Sequence, residues 1–288
     1  MRHTYECPMR WADLDLLGHV NNVVYVDYLQ EARVDMIRTH APASRPEGGD
    51  LAEGVVVVRH EVTYLAPLTF RFRPVRIECW VTEVRAASFT MGYEVFDEDG
   101  DGRRTTYLRA TTVLTPYVFA TERPRRLSAD ERATLSQFLD PIERRPREPL
   151  APPPAERRAH YPLHVRFSDV DAYGHVNNVK YFEYFQEARI QLLSGLREGL
   201  PEDDGALEVV VAQTDVDYRM PILFREEPYD VWSHVARVGS RSFTVESEIR
   251  DGDTLLSRAR VALVHFDPRQ GRSTEPSAEY RDRLTRTS

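Results

Sequence analysis

The stretch Arg10-Trp-Ala-Asp-Leu-Asp-Leu-Leu-Gly-His-Val-Asn-Asn-Val-Val-Tyr25 returns later in the chain as Arg166-Phe-Ser-Asp-Val-Asp-Ala-Tyr-Gly-His-Val-Asn-Asn-Val-Lys-Tyr181. Aligning the two histidines gives an offset of 156 (175 − 19). The match continues through Gln30-Glu-Ala-Arg33 and Gln186-Glu-Ala-Arg189. Further on, Tyr64-Leu-Ala-Pro67 answers Tyr218-Arg-Met-Pro221, and Ser88-Phe-Thr90 answers Ser242-Phe-Thr244, both at an offset of 154. Self-similarity on this scale, with two copies rather than many, marks a duplicated domain and not a solenoid.

Between the copies, Pro141 to His160 carries six prolines among Arg and Glu and reads as an extended linker. The expected organisation is therefore one domain over 1–140, a Pro/Arg-rich linker over 141–160 and a second domain over 161–288. The total of 288 residues suits two domains.

Each copy has the same order of signals. A short strand ends near Arg10 or Arg166, and an acidic, Gly-containing turn follows. The apolar spacing then predicts a helix from Asn21 to about His40 and from Asn177 to about Leu196, with Asn suited to the N-cap. Ala41-Pro42 in the first copy, and Gly195 and Gly199 in the second, supply stop signals. Thereafter the period shortens. Val55–Leu65, Val75–Ala86, Phe89–Phe96 and Thr105–Tyr117 read as strands, as do Val209–Tyr218, Tyr229–Val238, Phe243–Arg250 and Leu255–Phe266. Turns fall at Asp97–Gly102 and Asp251–Asp253. Ser128-x-x-Glu131 is a capping box opening a short second helix. This is an α+β pattern in which an antiparallel sheet packs on one long helix.

Composition narrows the function. The chain carries 38 Lys+Arg and 46 Asp+Glu, net −8, a poor charge balance for a phosphate-backbone binder. Apolar runs as short as Val55–Val58 exclude a spanning helix. The start of the chain lacks a secretory pattern, so the expected location is cytoplasmic, with no nucleic acid and no membrane as partners. Cys7 and Cys79 have no spacing for a disulfide framework or a thiolate site and read as small buried hydrophobes.

The chemistry concentrates in Asp13-x-Asp15-x-x-Gly18-His19-x-Asn21-Asn22 and in Asp169-x-Asp171-x-x-Gly174-His175-x-Asn177-Asn178. Each places carboxylates immediately before a helix N-terminus. Unpaired amides there can hold a carbonyl oxygen that gains negative charge, while the neighbouring Asp attacks it or takes a proton from attacking water. Asp, Gly and Asn also build turns and caps, so one copy alone would read as turn chemistry. The block is shared by two otherwise diverged copies, Trp11 against Phe167 for example, which favours function. No third ligand accompanies Asp15 and His19, so no metal site is expected.

These residues carry a resemblance. Asp-x-Asp-x-x-Gly-His-Val-Asn-Asn-x-x-Tyr followed by Glu-Ala-Arg resembles the hotdog-fold acyl-CoA thioesterases, in the 4-hydroxybenzoyl-CoA and long-chain acyl-CoA branch, and the likeness covers both copies. It implies two hotdog domains, each an antiparallel sheet wrapped around a long central helix. It also implies pairing of the two domains with each other, with further homo-oligomerisation left open. The catalytic carboxylate would be Asp15 and Asp171. The oxyanion-binding amides would lie at Asn21-Asn22 and Asn177-Asn178. Asp13, Gly18, His19, Asp169, Gly174 and His175 would support them. The implied reaction is hydrolysis of acyl-CoA to free acid and CoA, as in fatty acid metabolism, with no cofactor, since CoA is part of the substrate. Alternatives are an acyl-carrier-protein thioesterase or a non-catalytic acyl-CoA-binding hotdog protein.

Some hotdog enzymes use an acid on the helix, which keeps Asp27, Glu31, Glu183 and Glu187 in reserve. Glu31 and Arg33 are expected to pair. Tyr25, Tyr28, Tyr181, Tyr184 and Phe185 read as core aromatics. Arg71, Arg73, Arg103, Arg104, Arg225 and Arg241 are available to CoA phosphates, although each reads first as a solvated surface charge.

Overall fold

The protein is described by a computed structural model covering residues 1–40, 53–143, 159–200, 208–267 and 269–286. The chain divides into two compact units, Met1–Pro146 and Arg147–Ser288. Residues 144–158 of the expected linker and the Ala41-Pro42 stop signal lie outside the described residues.

In the first unit, strand β1 (His3–Cys7) leads through a single 3₁₀ turn, Trp11–Asp13, to helix α1 (Val24–His40). Strands β2 (Glu53–Tyr64), β3 (Val75–Val84), β4 (Phe89–Glu98), β5 (Arg104–Val118) and β6 (Arg123–Pro124) follow, then helix α2 (Ala129–Gln137). The sheet runs β1-β3-β4-β5-β2, antiparallel throughout, with β6 beside β5.

The second unit repeats the plan. It comprises β7 (Ala159–Leu163), a 3₁₀ turn Phe167–Asp169, α3 (Lys180–Arg197), β8 (Glu208–Tyr218), β9 (Tyr229–Val238), β10 (Ser242–Asp251), β11 (Thr254–Asp267), β12 (Arg272–Ser273) and α4 (Ala278–Arg286). Its order is β7-β9-β10-β11-β8, with β12 beside β11. Even the register is duplicated, since Cys7 faces Val75 and Leu163 faces Tyr229.

The expected strands all form, with ends within about two residues of the sequence reading. Two boundaries differ more. The first strand stops at Cys7 and Leu163, three residues short of Arg10 and Arg166, because those arginines turn back onto Asp13 and Asp169. The long helices begin at Val24 and Lys180 rather than at Asn21 and Asn177. Asn21 Oδ1 accepts from the Val23 amide at 3.3 Å and Asn177 Oδ1 from Val179 at 3.4 Å, so each asparagine caps a turn ahead of the helix and not the helix itself.

Helix α1 buries Tyr25, Val26, Tyr28, Leu29, Ala32, Arg33 and Met36, the i, i+3, i+4 spacing of one face. That face rests on β3, where the Cys79 thiol meets the Ala32 carbonyl at 3.7 Å and Met36 Sδ at 3.6 Å. Burial pushes the Cys7 and Cys79 thiols up to about 12, consistent with inert core residues. On β4, Gly92 lies opposite Trp80, and a Cβ there would come within 2.8 Å of the indole, so only glycine lets the ring lie flat across the strand.

The capping box forms as expected. The Glu131 amide donates to Ser128 Oγ at 3.1 Å, and the Ser128 amide donates to the Glu131 carboxylate at 2.8 Å. Helix α4 closes the second unit by burying Tyr280 and Leu284 against the core around Phe243 and Val261. Among the described residues, no helix is long and apolar enough to cross a membrane.

Candidate active site

The acidic turn is a closed, hairpin-like loop. The Asp15 amide donates to the His19 carbonyl at 2.8 Å, and the Gly18 amide donates back to the Asp15 carbonyl at 3.0 Å. The second copy matches, with 2.8 Å from Asp171 to His175 and 3.1 Å from Gly174 to Asp171. Gly18 and Gly174 have φ of +75° and +81°, the left-handed conformation that a side chain would strain. Sequence identity at these two positions is thus explained by backbone geometry.

Asp15 is half-buried, and its Oδ1 accepts from the amides of Leu17 at 2.9 Å and His19 at 3.1 Å. Among the described residues, no donor meets its Oδ2. Asp171 is held in the same way by the Tyr173 amide at 2.9 Å. One carboxylate oxygen is therefore spent on ordering the turn, while the other can face a reactant.

Asp13 and Asp169 have a different environment, being 2% and 1% exposed. Asp13 accepts from the Arg10 amide at 2.8 Å, from Arg10 Nε at 2.9 Å and from the Tyr28 hydroxyl at 2.5 Å. Asp169 accepts from the Arg166 amide at 3.0 Å, from Arg166 Nε at 3.2 Å and from the Tyr184 hydroxyl at 2.7 Å. Burial works to raise the Asp169 carboxyl. The bonds from Tyr184 and Arg166 outweigh it and hold the group below the usual carboxylate range. Burial and the contact with aspartate push the Tyr28 and Tyr184 hydroxyls upward. The Asp13 and Asp169 carbonyls also accept from Asn21 and Asn177, both at 2.8 Å. These two aspartates tie the strand end, the turn and the helix together.

A second loop, which carries none of the expected site residues, closes the arrangement. After β2, the Leu68 carbonyl accepts from the Val20 amide at 2.8 Å, and His19 bridges to Thr69. Ile222 plays the Leu68 part at 2.9 Å from Val176. The Tyr64 hydroxyl donates to the Asn22 carbonyl and the Tyr218 hydroxyl to the Asn178 carbonyl, each at 2.8 Å. The Ile222 amide donates to the Tyr181 hydroxyl at 3.1 Å. The signal for this loop was the Tyr-x-x-Pro match at offset 154, which is far from the acidic motif in sequence. Among the described residues, the Asn22 amide has no acceptor, so a donor stands open immediately ahead of the α1 N-terminus.

The remaining expectations divide. Tyr25, Tyr28, Tyr181, Tyr184 and Phe185 are buried core aromatics as expected. The Glu31–Arg33 pair does not form. Residues two apart on a helix face opposite ways, so Glu31 is exposed while Arg33 is buried and donates to the Tyr93 hydroxyl at 3.3 Å. Glu183 pairs with Lys180 at 2.5 Å and with Arg166 at 2.9 Å, and Glu187 is exposed. Three of the six arginines are not solvated charges. Arg71 pairs with Asp97, Arg225 with Asp251 at 2.9 Å, and Arg104 with Glu78 at 2.9 Å and Glu94 at 2.8 Å. Asp97 therefore belongs to β4 and its ion pair, and the turn proper closes at Asp99, whose amide donates to the Arg103 carbonyl at 3.1 Å.

Among the described residues, no group of three or more His, Cys, Asp or Glu side chains is arranged to hold a metal ion. A cavity of 210 Å³ lies between α3 and β7, lined by Ala159, Tyr161, Ala188, Leu192, Gly195 and Leu196 among others; neither acidic turn lines it.

Comparison with known proteins agrees with this duplicated architecture. A Bacillus subtilis protein, YsmA, itself uncharacterized, is 30% identical over 125 residues, which is 43% of this chain and 82% of its own length. A Lactobacillus plantarum structure described as an oleoyl thioesterase superposes with a TM-score of 0.72 at 15% identity, covering 92% of this chain and 97% of that one. The 12:0-ACP thioesterase of Umbellularia californica superposes at 0.68 with 17% identity, covering 92% and 94%. At such identities the structural likeness is one of fold, a double hotdog. The thioesterase-like superfamily model matches residues 9–146 and again 165–284, and the chain belongs to that superfamily.

Proposed function

We propose that the protein hydrolyses an acyl-CoA thioester to a carboxylic acid and CoA, using Asp15 and Asp171. The observation that carries this reading is the Asp15 carboxylate, held by one oxygen on the Leu17 and His19 amides with the other oxygen left to a reactant. It lies on a turn that the Asp13–Asn21 bond ties to the start of the helix. The thioester carbonyl sits at the Asn22 amide, because the Asn21 amide is already taken by the Asp13 carbonyl, as the Asn177 amide is by Asp169. Either the carboxylate takes a proton from water as that water adds to the carbonyl, and the proton passes to the departing sulfur, or the carboxylate itself adds, expels the thiolate, and water then cleaves the resulting acyl anhydride and supplies the thiol's proton.

The test is thiol release from short, long and aromatic acyl-CoAs by the full chain, compared with the matched acyl-carrier-protein thioesters. The Asp15→Asn/Asp171→Asn double variant is the control. An asparagine oxygen can still accept from Leu17, His19 and Tyr173, so the turn survives while the base is lost. The expected result is a loss of turnover of about 10³-fold or more with unchanged thermal unfolding. Full activity in the double variant rejects the assignment. Tight acyl-CoA binding with no thiol released by the unmodified protein favours the non-catalytic binding protein instead.

A further inference from the structure

The loop that bonds to the acidic turn reads Phe70-Arg71-Phe72-Arg73 in the first unit and Phe224-Arg225-Glu226-Glu227 in the second. Arg71 and Arg225 are both engaged, by Asp97 and Asp251. What differs is the pair that follows them, an aromatic and a cation in one copy against two acids in the other.

In the first unit these residues build a row of rings. Trp11 meets Phe70 edge to face at 5.5 Å, and Phe70 meets Phe72 edge to face at 5.1 Å. The outer members are open to solvent, with Trp11 74% and Phe72 98% exposed. Exposed apolar area of this kind is unfavourable by about 25 cal/mol per Å², so three adjacent rings kept at the surface are placed for a partner. Arg73 follows Phe72 directly in the chain, its side chain 58% exposed and 4.0 Å from Asp97. A row of rings followed by an arginine fits a planar heteroaromatic ring bearing phosphates, because the rings stack the heterocycle and the guanidinium forks onto a phosphate.

The row is also tied to the candidate site. Thr69 bridges to His19, and the four residues from Thr69 to Arg73 span at most about 14 Å at ~3.6 Å each. We infer that the Trp11–Phe70–Phe72 row with Arg73 receives the adenine nucleotide of the acyl-CoA thioester. This rests on the thioesterase reading for the identity of the ligand. In the second unit Phe167 and Phe224 keep the first ring contact at 5.9 Å, but Glu226 and Glu227 stand where the nucleotide's phosphates would lie and repel them.

The test measures equilibrium binding of three probes to the full chain by calorimetry: coenzyme A, its adenosine diphosphate fragment, and pantetheine, which lacks the nucleotide. The variant Phe72→Glu/Arg73→Glu writes the second unit's pair into the first; neither side chain is buried, so the fold is retained. Coenzyme A is expected to bind about tenfold more tightly than pantetheine. The variant should lose that advantage and the affinity for the adenosine fragment, with pantetheine binding unchanged, and Arg73→Lys should restore part of it. Equal affinity for coenzyme A and pantetheine, or a variant that binds coenzyme A as the unmodified protein does, overturns the inference. So does a variant whose loss is confined to acyl-carrier-protein thioesters, which would make the row a protein-docking surface. The two readings fail separately. Nucleotide-dependent binding without thiol release sinks the hydrolase alone, and thiol release from acyl-CoA with a KM unmoved by the variant sinks the nucleotide site alone.

Discussion

The Tyr64 hydroxyl donates to the Asn22 carbonyl at 2.8 Å, and Tyr218 makes the same bond to Asn178 at 2.8 Å. The end of β2 or β8 is thereby fastened to the turn that starts the long helix. Both tyrosines stand in the Tyr-x-x-Pro segment shared at offset 154. Tyr64→Phe and Tyr218→Phe should each cost about 1 kcal/mol, because a part-buried carbonyl loses its donor. If Asn22 helps to seat the thioester, turnover should fall about tenfold in the Tyr64 variant. Urea denaturation and steady-state thiol release check the two effects independently.

The two acidic turns have different neighbours, so their contributions should be unequal. Lys180 and Glu183 form an ion pair at the start of α3, where α1 has Val24, and Tyr173 stands where the first copy has Leu17. Single Asp15→Asn and Asp171→Asn variants separate the sites. Equal half-losses in turnover mean two working sites, whereas one silent variant identifies a retired copy.

Asp169 contributes to acid stability with a definite sign. Its folded carboxyl titrates below the unfolded value of ~3.9, so its contribution is complete above that pH and fades as the pH drops beneath it. Asp169→Ala should cost about 2 kcal/mol near neutrality, since Tyr184 and Arg166 lose a charged acceptor. The difference from the unmodified protein should shrink in denaturation measured below pH ~4.

His265 shifts stability with pH in the same direction, but through its neutral form. It is 1% exposed, packed between Phe243 at 5.1 Å and Tyr280 at 5.8 Å, and among the described residues its Nδ1 has no partner. Burial, helped by Arg197, lowers its pKa to about 4. Between that value and ~6.5 the unfolded chain binds the additional proton, so stability rises with pH across this window. His265→Phe should flatten that part of the stability profile, as followed by thermal unfolding from pH ~4 to ~7.

Much of this molecule is legible in the residues alone. The repeated block gives a duplicated domain, and the change from helical to alternating spacing gives one long helix followed by an antiparallel sheet, because periodicity and turn chemistry are local properties of a chain. The different surroundings of the paired aspartates have a tertiary cause. Tyr28, fifteen positions on, brings a buried hydroxyl to Asp13, whereas the Asp15 carboxylate accepts from the amides of its own turn. Three things came from tertiary contact only: the partners of Arg71 and Arg225, the bond from Tyr64 to Asn22, and the exposure of Trp11 beside Phe70 and Phe72. Each joins segments far apart along the chain, and no spacing rule encodes which distant side chain the folded sheet brings within hydrogen-bonding distance.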